Sequence, residues 1–161
     1  MLDYLKKYLE ELSILAGHPV QVNELSHVDQ AASIREAGKK FALQATTISE
    51  ISFSNRNENL FKIFTKKLYD ANPSPVYVWT PRTIECGAFL LPSICAVNFS
   101  FDFTINEEGI LVFLTNDLID RLLLDFTSLP SGEERLRIET QGENWIHLND
   151  FVDSHSKEIQ L

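Results

Sequence analysis

Apolar residues along the chain change their period near its middle. Leu2, Leu5, Leu9, Leu12 and Leu15 recur at steps of three and four, which predicts one helical stripe, stopped by Gly17 and Pro19. Ser26-His27-Val28-Asp29 resembles a capping box with Asp in place of Glu or Gln, and the Ala-rich segment to about Lys40 suits a helix behind it. From Phe41 to Phe53 the pattern is mixed, because Ile48, Ile51 and Phe53 suggest a strand but break strict alternation. SNRNEN reads as a loop. Leu60, Phe61, Phe64 and Leu68 then lie at helical spacing, leave Lys62, Lys66 and Lys67 to solvent, and meet a stop at ANPSP.

Period two dominates afterwards. PVYVWT is β-branched and aromatic, as a short strand should be. Val97, Phe99, Phe101, Phe103 and Ile105 alternate with Asn98, Ser100, Asp102, Thr104 and Asn106, which predicts a strand with one packed and one wet face. Asn106-Glu107-Glu108-Gly109 suits a turn with Gly109 at positive φ, and Ile110 to Leu114, apolar on both faces, suits a central strand. NDLIDRLLLDF supports two readings: a helix on Leu118, Ile119, Leu122, Leu123 and Phe126, or a strand on Leu122, Leu124 and Phe126. ERLRIET and NWIHL, separated by QGE, read as a closing hairpin. The expected fold is α+β, a single domain over residues 1–161 with N-terminal helices packed on an antiparallel β-meander.

Charge adds a polarity that the hydrophobic pattern lacks. Residues 1 to 70 carry nine basic and nine acidic side chains, whereas residues 71 to 161 carry five basic and fourteen acidic, so the whole net charge of −9 lies in the second half. Such a field disfavours nucleic acid and anionic membrane and favours basic partners. MLDYLKKYLEEL mixes charges into its apolar positions and lacks a signal-peptide core, and no apolar run approaches the ~18 residues of a membrane span. Cys86 and Cys95 form neither a CxxC pair nor a disulfide framework; they are expected to be unpaired, buried hydrophobes in a reducing cytosol.

Motifs for chemistry are sparse. The sequence holds no glycine-rich phosphate loop, no GxSxG and no HExxH, and the spacing of His18, His27, His147 and His155 suggests no metal site. Neither cofactor nor metal is expected. Asp117 with Asp120 could serve acid/base chemistry, but acids are abundant here and a solvated face is the expected reading. Arg82, in WTPRTIECG, is expected to pair with Glu85 or, failing that, to bind an anion.

PVYVWTPRTIECGAF, the Phe-alternating strand and EEGILVFLTNDLIDRLLLDF together resemble the immunity proteins of bacterial contact-dependent growth inhibition systems, over roughly residues 75 to 145. The resemblance implies a cytoplasmic protein that binds and neutralises one cognate toxin domain, often a nuclease, without catalysis. It carries over no site residues. Nuclease toxins tend to present a basic cleft, so the acids at predicted turns, Glu107, Glu108, Asp117, Asp120, Glu133 and Glu134, become the candidate contact surface. Two other classes stay open. One is an enzyme or small-ligand binder with a pocket around Arg82, Cys86 and a histidine; the other is a structural subunit that adds a strand to a partner's sheet.

Overall fold

Among the described residues six strands pair antiparallel throughout: β1 (Thr47–Ser52), β2 (Val76–Trp79), β3 (Phe89–Leu91), β4 (Ile110–Thr115), β5 (Asp120–Ser128) and β6 (Glu134–Gly142). Their order across the sheet is β1-β6-β5-β4-β2-β3. The computed structural model describes residues 3–52, 58–98 and 109–150. The α+β reading is therefore correct, with β4, β5 and β6 as the meander. The alternating segment from Val97 to Ile105 and the Glu107-Glu108 pair fall almost entirely outside the described residues.

Helices cover both faces. On the inner face, α1 (Asp3–Ala16) and α3 (Glu58–Ala71) lay Tyr8, Leu12, Leu15, Leu60, Phe61, Phe64 and Leu68 against Leu111, Phe113, Leu122, Leu124, Leu136 and Ile138. The α3 stripe read from sequence makes this core throughout, whereas of the α1 stripe Leu12 and Leu15 are buried, Leu5 and Leu9 pack against the core half-buried, and Tyr8 joins it from outside that stripe. On the outer face, α2 (Val28–Gly38) and the 3-10 helix Lys39–Leu43 cover the β2–β4 part through Ala31, Ile34, Phe41 and Leu114, and reach the Arg121–Gln141 end of β5 and β6. β4 is thus covered on both sides, as its uniformly apolar sequence requires.

Tertiary context decided the ambiguous segment after Asn116. It is strand β5, with Leu122, Leu124 and Phe126 buried between their neighbours on β4 and β6. Gly109 takes φ +66°, and a Cβ there would meet the Phe126 carbonyl oxygen at 2.7 Å, so the position just before β4 needs glycine.

Several expectations are corrected. The cap of α2 is His27, whose Nδ1 accepts the Asp29 amide at 3.2 Å; Ser26 Oγ instead accepts the Ala88 amide at 2.9 Å. Ile48 lies on the outer side of β1 and is 53% exposed, while Ser49 and Ile51 face inward. Residues 143–149 form turns and not the second strand of a hairpin. Cys95 is exposed, and Cys86 is half-buried against the core; both are free thiols.

Candidate functional site

The acids proposed from sequence separate into two turns at opposite ends of β5. One turn, residues 116–119, joins β4 to β5; the other, residues 129–133, joins β5 to β6. Nine residues of strand at roughly 3.3 Å each hold them about 30 Å apart. The fold therefore does not gather Asp117 and Asp120 with Glu133 and Glu134 into one patch.

Asp120 is fully buried. Its carboxylate accepts Asn72 Nδ2 at 2.7 Å, the Asn144 amide and Nδ2 each at 2.9 Å, and the Trp145 amide at 3.0 Å. It organises residues 143–145 beneath the sheet, where the Trp145 indole donates to the Leu68 carbonyl at 3.0 Å. Gly142, at φ +111°, permits this approach, since a Cβ there would stand 2.2 Å from the Ile119 carbonyl oxygen. Asp120 is thus removed from the contact surface, because every lone pair that would meet a partner is already engaged inside.

Asp117 is exposed but similarly committed. It accepts Thr115 Oγ1 at 2.6 Å, the Ile119 amide at 3.1 Å, and Asn72 Nδ2 and Ser74 Oγ each at 3.2 Å. Partial burial pushes its carboxyl up, but these four hydrogen bonds outweigh that and hold it below the ordinary carboxylate range.

The β5–β6 turn is of another kind. Residues 127–134 are all exposed, closed by the Leu129 amide on Glu133 O at 2.8 Å and by Gly132 at φ +87°. Glu133 accepts Ser52 Oγ and lies 3.4 Å from Arg135 Nη1, while the Glu134 side chain bonds nothing among the described residues. Beyond this turn, the outer face of β1, β6 and β5 is left uncovered by α2. It presents Ile48, Glu50, Leu123, Asp125, Arg135, Arg137 and Glu139 as exposed or half-exposed side chains. Glu50 pairs with Arg135 across β1 and β6 at 2.8 Å and Arg137 with Glu139 along β6 at 2.8 Å, and in register Glu50, Arg137 and Asp125 alternate in charge across β1, β6 and β5.

The region around Arg82 is structural. Arg82 is buried, pairs with Glu11 of α1 and not with Glu85, and stacks 5.0 Å from the Tyr4 ring. Glu85 lies exposed on the short helix α4 (Thr83–Cys86), whereas Glu11 sits on the buried side of α1 and meets Arg82 there. Tyr8 adds a second tie, donating to Gly87 O at 2.7 Å with its hydroxyl 3.1 Å from Thr83 Oγ1, and burial raises its phenol strongly. At Cys86, burial raises the thiol, Glu85 raises it further and Arg82 opposes both, which is the reverse of an activated nucleophile. The described histidines are engaged elsewhere: His18 with Pro19 O, His27 as the α2 cap and His147 with Thr47. No group of His, Cys, Asp and Glu suited to a metal ion occurs among the described residues. No helix among them is long and apolar enough to cross a membrane.

In comparisons with known proteins, no family model matches the chain, and no curated protein or solved structure does.

Proposed function

We propose that this protein is an immunity protein of the contact-dependent growth inhibition type. In this reading it acts in the cytoplasm, binding a cognate toxin domain and blocking it without catalysis. The observation that carries the proposal is the exposed acidic β5–β6 turn beside a bare, charge-alternating sheet face. A basic toxin surface is attracted by the net charge of −9 and oriented by the alternating ladder, so encounter and discrimination come from one region. Ile48 and Leu123, set among those charges, supply apolar anchors whose burial would hold the complex.

The buried Arg82–Glu11 pair and the raised Cys86 thiol count against a pocket built on Arg82, Cys86 and a histidine. The test is binding of this protein to the product of the gene immediately upstream, by surface plasmon resonance, together with a titration of the toxic activity of that product's C-terminal domain. Stoichiometric neutralisation is expected. Failure of that product to bind overturns the proposal.

A further inference from the structure

Arg121 is the one described arginine of the second half that forms no ion pair with a described acid. Arg82 is matched by Glu11, Arg135 by Glu50 and Glu133, and Arg137 by Glu139. Arg121 makes a single hydrogen bond, from Nη1 to Gln141 Oε1 at 2.8 Å, and enters no ion pair among the described residues. Gln141 is itself fixed, for its Nε2 donates to Phe41 O at 2.6 Å and to Gln44 O at 3.3 Å, which leaves its oxygen for Arg121. The guanidinium is half-buried, and that burial lowers its pKa while Glu139 opposes the shift; an arginine nonetheless stays charged at neutral pH. A partly desolvated cation is hydrogen-bonded here to one neutral amide, with Glu139 acting on it only through space, and a directly bonded counter-charge would offset the burial.

Arg121 and Gln141 line a cleft of about 310 Å³ with Phe41, Ala42, Gln44 and Thr46. It opens beside the 3-10 helix at the end of α2, on the outer face but away from the β5–β6 turn. We propose that this cleft binds a small organic carboxylate, with the free edge of the Arg121 guanidinium as its bidentate partner. Nε and Nη2 make no hydrogen bond among the described residues and form the planar fork that a carboxylate fits. One guanidinium in an acidic molecule suits a monoanion better than a phosphate dianion, and the exposed Ala42 leaves room for a short tail beside a mainly polar lining. This site is independent of toxin binding.

The test uses the full chain, with sodium butyrate as probe and sodium chloride and phosphate at matched ionic strength as comparators. The Arg121 Nε–Hε resonance should shift saturably with butyrate and not with chloride. Arg121→Met should abolish the butyrate-dependent rise in thermal midpoint, and Arg137→Met should keep it. Absence of a saturable shift in the wild-type resonance overturns the site, whether or not Arg121→Met folds. A stronger response to phosphate than to butyrate overturns the carboxylate assignment.

Discussion

The two turns that flank β5 are both acidic, and they do opposite things. At the β4–β5 turn, Asp117 and Asp120 collect eight hydrogen bonds between them, and one of the two acids is fully buried. At the β5–β6 turn, Glu133 and Glu134 stay exposed, and Glu134 bonds nothing among the described residues. Acidic residues at a turn therefore do not by themselves mark a surface. What separates the pairs is the supply of donors, which Asn72, Asn144 and the amides after Gly142 provide at one end only.

Asp120→Ala should have the largest effect. It leaves the Asn144 and Trp145 amides and Asn72 without their acceptor and should cost about 3 kcal/mol or more in urea unfolding. A loss under about 1 kcal/mol would mean that this carboxylate does not organise residues 143–145. Asn72→Ala removes a donor shared by both acids and should cost about 1–2 kcal/mol.

Asp117→Asn should be read against pH. The folded carboxyl titrates below its ordinary value of 3.8, so the wild type gains stability from ionised Asp117 above that value and loses it as pH falls through the folded value. The variant should lack that part of the acid loss below about pH 4, and thermal unfolding between pH 2 and 6 would show it. Glu134→Ala, at the other end of β5, should change stability by less than about 0.5 kcal/mol at neutral pH.

The same contrast explains what could be read in the sequence. The stripes of α1 and α3 and the two-faced apolar run of β4 were legible because each is a local pattern that matches burial in the fold. Leu122 and Phe126 belong to both the helical and the strand pattern, so only the neighbouring strands β4 and β6 could choose between them. Residues 143–149 alternate like a strand but turn instead, because Asp120, more than twenty residues earlier, captures their amides. Asp120 itself looked like a surface acid, since its partner Asn72 lies 48 residues away and no spacing rule connects them. β3 was missed for a similar reason: three residues, Phe89–Leu91, carry too little pattern and are held by pairing with β2. Arg121 gave no sign in the sequence, because its lack of an ion pair emerges only once Arg82, Arg135 and Arg137 are placed beside their acidic partners.

The proposed role of the β5–β6 turn is tested most directly by reversing Glu133 and Glu134 to Lys and measuring binding kinetics against the protein encoded immediately upstream at two ionic strengths. Slower association is expected at low salt, with the difference from wild type shrinking at high salt, because rim charges act mainly on encounter and are screened. Association and dissociation unchanged at both salt concentrations would contradict a contact surface at this turn.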